Sequence, residues 1–302
     1  MFNIKSLFVV ASVMLSAVLM INTAFAGMAE HITKVDDGVY AYGDPAAGYT
    51  SMFVVTNDGV IVMEPINTKH STAMLKAIRS VTDQPIRYLI HSHNHWDHSG
   101  GGQVFRDAGA TIVAHVEAYE WMKANPNKDM ALPDESWAGN RKDILLGGTT
   151  IELHYLGMNH GLGMTVFRLP REKIVFIADI VTPDRLLFTI VPDFNIKPWL
   201  RSLREIEAMD FQTAVFTHGK TVGSKKDVTA NREFIEDLRS AIHAEFKKGT
   251  NPFEIPNVVR VPKYQGWAMY DEWLAMNAWR LLLDDYMGPF PWRPDHSYEA
   301  NQ

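Results

Sequence analysis

The feature that most restricts how this chain can fold is a dense cluster of histidines and aspartate, His93-x-His95-x-Asp97-His98. His93 and His95 are two residues apart, so in extended backbone both rings point the same way and can share one metal ion. Asp97 continues this spacing and His98 follows directly; adjacent side chains diverge, which suits a second ion beside the first. The cluster follows an apolar run and precedes glycines 100–102, which allow a tight turn into a helix. We therefore expect a metal site where a buried strand passes into a helix.

Composition places the chain among ordinary globular proteins. Its 302 residues are 46% hydrophobic and 21% charged, which supplies ample material for a core. The net charge of −6 argues against a nucleic-acid partner, because no excess of Lys and Arg is present to neutralise phosphates. There is no cysteine, so disulfides are excluded and any metal site must use His, Asp and Glu.

The first 26 residues have the layout of a secretory signal peptide. Lys5 is followed by the apolar run 7–21 and then by Ala24-Phe25-Ala26, a small-residue cleavage site. The alternative is an uncleaved membrane anchor, but the run is shorter than the roughly 20 residues that a membrane span needs. We expect residues 27–302 to be the mature protein, periplasmic or secreted, with no membrane span after cleavage.

Hydrophobic periodicity predicts alternating strands and helices in one domain. The predicted strands are 39–43, 51–56, 60–63, 87–90, 111–114, 150–156, 164–169, 173–178 and 213–216. The predicted helices are 71–82, 100–107, 116–125, 199–209, 227–248 and 271–286. The polar stretch 126–141 and the Pro-rich stretch 183–198 read as irregular. Strand-rich halves that are each followed by helices favour two sheets packed face to face with helices outside.

The histidine cluster resembles the signature of the metallo-β-lactamase superfamily, and later segments follow in that family's order. His160 lies in Gly-Met-Asn-His-Gly, Asp179 ends Phe-Ile-Ala-Asp, and His218 lies in Phe-Thr-His-Gly. The resemblance covers about residues 39–219. It implies the α/β class and a four-layer αββα sandwich, within a single domain 27–302 that ends in a helical extension from about residue 225.

The resemblance also implies two metal sites. The first would use His93, His95 and His160, the second Asp97, His98 and His218, and Asp179 would bridge them. Nitrogen and carboxylate ligands without thiolate suit two Zn²⁺ ions, with Fe or Mn possible, because affinity alone does not select the metal in vivo.

The implied chemistry is hydrolysis of an ester, lactone, thioester or amide by a metal-bridging hydroxide. Two ions about 3.5–4 Å apart lower the pKa of a shared water towards ~7. Asp97 is the candidate catalytic residue, since it would orient that hydroxide. The histidines must be neutral to bind metal, so we expect activity to fall below about pH 6.

Departures from the family's patterns narrow the expected substrate. The absence of cysteine excludes the β-lactamases that bind zinc through one, and Asp179 points to the dinuclear branch that resembles glyoxalase II and lactonases. Thr182 stands where signal lactonases usually carry tyrosine, so that activity is not supported. Glu64 stands where the family commonly has Asp, and we expect it to support the site through hydrogen bonds.

The substrate is expected to be a small, partly apolar molecule. Tyr49, Trp96 and Phe188 are candidates to contact it, with the stretch 183–198 as a roof. His115 either hydrogen-bonds near the site or packs in the core, and His91 is interpreted as buried or supporting. For the C-terminal tryptophans, core packing is favoured.

Other functions stay open at this point. One is β-lactamase activity on β-lactam antibiotics. Another is a mononuclear iron dioxygenase, which would bind one iron through part of the same ligand set. A third is a non-hydrolytic protein of this scaffold, either a metal-dependent cyclase or a binding protein. Counting the metal ions separates the second from a dinuclear hydrolase.

Overall fold

The chain forms two β-sheets that carry helices on their outer faces. The computed structural model describes residues 31–44 and 48–288. The predicted signal peptide, residues 1–26, lies outside these described residues.

The first sheet has seven strands, which pair in chain order. They are β1 (Ile32–Asp36), β2 (Val39–Asp44), β3 (Tyr49–Thr56), β4 (Gly59–Met63), β5 (Ile86–Ile90), β6 (Thr111–His115) and β7 (Glu135–Trp137). Strands β1 to β4 are antiparallel, and a two-residue turn joins β3 to β4. From β4 to β7 neighbouring strands are parallel, and each connection between them contains at least one helix.

The second sheet has six strands, in the order β13-β12-β11-β10-β9-β8. They are β8 (Arg141–Leu146), β9 (Thr149–Tyr155), β10 (Thr165–Leu169), β11 (Ile174–Ile177), β12 (Thr213–Phe216) and β13 (Val222–Gly223). Only β11 and β12 pair in parallel, and the remaining pairs are antiparallel. Strands β9, β11 and β12 consequently run in the same direction.

Eight α-helices occur in the described part of the chain, and the longer ones cover the sheets. They are α1 (Thr68–Val81), α2 (Trp96–Ser99), α3 (Gly102–Asp107), α4 (Val116–Ala124), α5 (Ile196–Ala208), α6 (Lys225–Lys248), α7 (Ile255–Val258) and α8 (Tyr270–Met287), with a 3₁₀ turn at Pro262–Tyr264. None of these helices combines the length and apolarity that crossing a membrane requires.

Three apolar clusters show how the layers pack. One lies between the sheets and joins residues such as Met52 and Ile61 to Phe167 and Phe176. A second packs α1 and α3 on the outer face of the first sheet, and a third packs α5, α6 and α8 on the second sheet. Burying both faces of each sheet explains why β4 and β11 are buried along their whole length. The expected four-layer αββα sandwich is confirmed.

The predicted loop 126–141 is partly wrong, because β7 lies inside it and β8 starts at its end. Strand β7 has three residues and a charged, exposed start at Glu135, so it carries no alternating pattern. It is a strand because it pairs with β6. Helix α1 starts earlier than predicted, at Thr68, because the Asn67 side chain accepts a hydrogen bond from the backbone N–H of His70.

Gly101 sets the turn that leads from the histidine cluster into α3. Its φ of +74° is a left-handed conformation that side chains with a Cβ disfavour. A Cβ at this position would also stand 2.3 Å from the backbone carbonyl carbon of Asn67. The segment after the cluster therefore packs against the start of α1 at a distance that only glycine permits.

We expect Gly101→Ala to destabilise the protein by about 3 kcal/mol or more, the sum of backbone strain and overpacking. Gly139→Ala is the matched control, since Gly139 has a φ of +85° but no heavy atom within 4 Å of a built Cβ. This variant should lose only about 1–2 kcal/mol. Chemical denaturation of both variants measures the difference, and equal losses would contradict the role assigned to the close contact.

Candidate metal centre

Six side chains from both sheets converge at one edge of the sandwich, where strands end. Their ligand atoms form two groups in which all atoms lie within 4.8 Å of one another. The first group contains His93, His95, His160 and Asp179; the second contains His98, Asp179 and His218. These residues follow β5, β9, β11 and β12, and strands that run in the same direction bring their carboxyl ends to one edge.

Asp179 belongs to both groups, and each of its carboxylate oxygens faces one of them. Oδ2 lies 3.0 Å from His160 Nε2, 3.5 Å from His93 Nε2 and 4.0 Å from His95 Nδ1. Oδ1 lies 3.1 Å from Nε2 of both His98 and His218. This is the geometry of a carboxylate that bridges two adjacent sites.

In three of the histidines, the ring nitrogen that faces away from Asp179 lies within hydrogen-bond distance of another protein oxygen. His93 Nδ1 lies 2.7 Å from Ser92 Oγ, and His218 Nδ1 lies 3.1 Å from the carbonyl oxygen of Gly48. His98 Nδ1 lies 2.7 Å from Glu64 Oε2, while the other Glu64 oxygen accepts a hydrogen bond from Ser92 N–H. An acceptor on the outer nitrogen orients a histidine ring and makes the inner nitrogen a better metal ligand.

Glu64 occupies this position at the cost of an uncommon backbone conformation. Its side chain is fully buried, and its φ of +69° is rare for a residue with a Cβ. Strain of this kind persists where the surrounding structure holds it, often at functional sites. The supporting hydrogen bonds expected from the sequence are thus seen as contacts with His98 and Ser92.

The inner atoms of the cluster fit a cation better than they fit one another. Within the described residues, Nε2 of His93, Nε2 of His98 and Oδ1 of Asp179 are buried and have no well-formed hydrogen bond. Buried polar atoms without partners are rare in proteins, since each costs desolvation energy. A bound metal ion would supply the partner that these closely spaced nitrogen and carboxylate atoms lack.

Charge complementarity already holds the second group together. Burial opposes ionisation of Asp179, but His98 and His218 outweigh it and keep the pKa of Asp179 well below its usual value. Burial likewise opposes protonation of His98, but Asp179 and Glu64 outweigh it and raise the pKa of His98 well above its usual value. A cation that binds here must displace that proton, so binding is coupled to pH.

Asp97 lies at the rim of the second group rather than among its closely spaced atoms. Its side chain is 58% exposed, and its Oδ2 is 3.6 Å from His98 Nε2. The same oxygen accepts a hydrogen bond of 2.9 Å from the hydroxyl of Tyr49, whose ring packs 4.6 Å from that of His218. Tyr49 is the first residue of β3, which begins two residues before the predicted start of this strand at position 51.

Asp193 is part of the site although sequence reasoning did not single it out. Its Oδ2 lies 2.7 Å from His95 Nε2 and accepts a hydrogen bond from Gly161 N–H at 3.1 Å. Its Oδ1 lies 3.1 Å from His160 Nδ1, and Phe194 stacks on the His160 ring at 3.9 Å between centroids. One carboxylate thus lies against the outer nitrogens of two histidines, within hydrogen-bond distance of that of His95 and within ion-pair distance of that of His160. Its only signal in the sequence is that it is one of two acids, with Asp184, in the otherwise largely apolar stretch 183–198.

Asp193 belongs to an irregular segment, the 187–194 loop, which α8 holds in place. The Nδ2 of Asn277 donates hydrogen bonds to the carbonyl oxygens of Leu187 and Thr189. Arg280 donates to those of Val191 and Phe194. Thr189 and Val191 have φ values of +46° and +48°, which β-branched residues avoid, so these buried donors stabilise a strained loop.

A cavity of about 330 Å³ opens beside both groups. Its lining includes the polar residues Tyr49, Asp97, Asp179 and His218. It also includes a set of apolar residues: Leu187, Phe188, Phe194, Trp199 and Trp273. Phe188, a candidate from the sequence, is therefore a wall residue, whereas Trp267 packs on Phe234 and Tyr264.

Trp96 and His115 are not placed in this cavity. Trp96 begins α2, and its ring lies 6.3 Å from that of Trp121. Neighbouring residues on a helix point about 100° apart, and in α2 it is Asp97 that lines the cavity. His115 stacks on Tyr155 at 4.1 Å and meets Trp137 edge-on, which are packing contacts. His91 is buried, and burial lowers its pKa to about 3.

Comparison with known proteins gives the site a family context. The family model described as the metallo-beta-lactamase superfamily matches residues 45–218, a range that contains both groups. The alpha subunit of 2,4-dinitroanisole O-demethylase from Nocardioides sp. (strain JS1661) is 32% identical over 136 residues, which are 45% of this chain. The match spans only 41% of that subunit's length.

Solved structures of low identity share the fold. A metallo-beta-lactamase from Pontibacter korlensis superposes with a TM-score of 0.60 at 19% identity, covering 68% of this chain and 98% of that one. The inverting sec-alkylsulfatase Pisa1 from Pseudomonas sp. superposes with a TM-score of 0.67 at 15% identity, covering 85% of this chain and 50% of that one. At these identities the likeness shows the fold alone.

We expect Asp193→Asn to weaken the binding of a divalent cation at the first group by about 10–100-fold, the usual effect of losing a carboxylate that supports metal-binding histidines. The amide keeps the size of the side chain but replaces one acceptor oxygen with a donor. Asp184→Asn, a change of an exposed carboxylate nearby, is the matched control. Titration against a competing chelator measures the affinity, and an unchanged value in Asp193→Asn would contradict this role.

Proposed function

The chain belongs to the metallo-β-lactamase superfamily, and on that premise we propose that it is an exported hydrolase that uses two metal ions. Its substrate is a small molecule in which an ester, lactone, thioester or amide bond is cleaved. The observation that carries the proposal is Asp179, whose two oxygens each face a separate group of histidines beside one cavity.

Seven residues are the proposed ligands. His93, His95 and His160 hold the first ion, Asp97, His98 and His218 hold the second, and Asp179 contributes to both. Two Zn²⁺ ions suit these nitrogen and carboxylate donors, and Fe or Mn are the alternatives. Asp97 would complete the second set from its position at the rim.

Two divalent cations in such neighbouring sites supply a water of lowered pKa and polarise a substrate oxygen. The chain itself orients the participants. The Tyr49 hydroxyl holds Oδ2 of Asp97, which leaves the other carboxylate oxygen to accept a hydrogen bond from the attacking water. Asp193 and Glu64 fix the rings of His95, His160 and His98.

The walls of the cavity support a partly apolar substrate. Phe194 packs between His160 and Trp199, so the ligand rings border an aromatic surface rather than open water. An apolar surface beside a few converging polar groups is typical of sites for small molecules.

Export is proposed from the residue pattern of positions 1–26. Cell fractionation and N-terminal sequencing test it. We expect the protein in the periplasmic or secreted fraction to start at Gly27.

The function is tested by metal counting and by a substrate panel on the purified mature protein. The panel comprises β-lactams, lactones, aryl esters, thioesters and, because of the demethylase relative, 2,4-dinitroanisole. We expect two ions per chain and turnover of an ester, lactone, thioester or amide. One iron per chain without hydrolysis would favour a dioxygenase, and turnover confined to β-lactams would make the protein a β-lactamase. Full metal loading without turnover would contradict the proposal and favour a cyclase or binding protein.

We expect His160→Ala and Asp179→Ala to abolish turnover while circular dichroism shows an intact fold. The His160 variant should lose mainly the first ion, and the Asp179 variant should bind both ions poorly, because Asp179 is shared. His243→Ala is the control, since His243 is exposed and pairs with Asp285 on α8. Activity retained in both site variants would exclude this assignment of ligands.

A further inference from the structure

Arg185 is a cation in the wall of the cavity, and no carboxylate of the described residues lies within ion-pair distance of it. Its Nε is buried without a hydrogen bond, and no described residue forms an ion pair with its guanidinium. Other half-buried arginines of the chain are paired: Arg168 lies 2.8 Å from Glu152, and Arg232 lies 3.0 Å from Glu207. A charge withdrawn from water without a partner is costly, so this exception calls for a partner that the chain itself does not supply.

The position of Arg185 is fixed by the C-terminal part of the chain. Leu186 N–H donates to the carbonyl oxygen of Ala268 at 3.0 Å, and Ala268 N–H donates to that of Asp184 at 2.9 Å. The guanidinium carbon lies 5.4 Å from the centre of the Trp273 ring, a cation–π contact. This contact steadies the side chain and uses none of its N–H donors.

The charges around the cavity leave this cation unbalanced. Two divalent cations would offset the four carboxylates of Glu64, Asp97, Asp179 and Asp193. Arg185 would then remain as a positive charge beside the apolar residues Leu187 and Phe188. Such a site favours a ligand that joins an apolar body to an anionic group.

We propose that Arg185 and Trp273 form a subsite for a carboxylate of the substrate, separate from the bond that is cleaved. The planar guanidinium fork matches a carboxylate in a bidentate arrangement, which lysine does not. The substrate class is then an apolar acyl compound that carries a second, negatively charged carboxylate. This inference rests on the proposed hydrolase function. Trp273 and Ala268 lie beyond residues 45–218, so the subsite depends on the part of this chain outside the family match.

A pair of substrates of equal length tests the subsite in the metal-loaded protein. The mono-4-nitrophenyl ester of glutarate carries the free carboxylate, and 4-nitrophenyl pentanoate replaces it with a methyl group. We expect Arg185→Met to lower kcat/KM for the glutarate ester about 10-fold or more, mainly through KM, and to change the pentanoate ester less than about twofold. These rates are corrected for uncatalysed hydrolysis.

Two further variants serve as controls. Arg185→Lys keeps the charge but loses the fork, so it should retain part of the preference for the glutarate ester. Arg171→Met changes an exposed arginine that pairs with Glu172, and it should leave both rates unchanged. An equal loss on both esters in Arg185→Met, or no loss on either, would overturn the proposal.

Calorimetric binding of glutarate and pentanoate to the same proteins separates this inference from the function. The unmodified protein should bind glutarate at least about 10-fold more tightly than pentanoate, and Arg185→Met should lose that preference. If this holds while neither ester nor any member of the substrate panel is hydrolysed, the subsite stands and the hydrolase proposal is contradicted. Equal affinities for the two acids in the unmodified protein would overturn the subsite.

Discussion

The edge of the sandwich that carries the histidines depends on their contacts with the buried carboxylate of Asp179. It faces histidines that follow strands of both sheets, and each of its oxygens serves one group. Taking charged and polar groups out of water is costly unless partners surround them. The cost is offset here by histidine nitrogens at 3.0 to 3.5 Å from the carboxylate oxygens and, in the proposed loaded state, by cations between them. The two sheets must therefore meet with their strand ends at one edge.

Partners behind the histidines make this arrangement rigid. Glu64 supports the His98 ring from the end of β4, and Asp193 supports both His95 and His160 from the 187–194 loop. The loop in turn depends on the buried side chains of Asn277 and Arg280 in α8, which donate hydrogen bonds to its carbonyl oxygens. A helix outside the family match thus acts on the first group of ligands through one loop. The same helix places Trp273 in the cavity wall.

Much of the fold was predictable because its signals are local. Short windows of sequence are enough to predict the alternation of strands and helices, the Asn57-Asp58 turn and the helical spacing in α6. The αββα class follows from these elements together with the family resemblance. The strand β7 was missed because its three residues have no periodicity and form a strand only by pairing with β6. Likewise, α5 starts before the predicted Trp199, with Pro198 in its first turn, where a missing N–H costs nothing.

The sequence by itself determined which residues are available for the centre: five histidines and two aspartates beside predicted strand ends, with no cysteine among them. It did so because ligand spacing and strand ends are properties of neighbouring residues. Only the tertiary structure decided how these side chains are supported and what faces them. The position of Asp193 behind two histidines, the lack of an ion pair between Arg185 and any described carboxylate, and the absence of Trp96 from the cavity lining all depend on elements far apart in the chain. The contacts that orient a side chain there come from packing, which no local pattern of residues encodes.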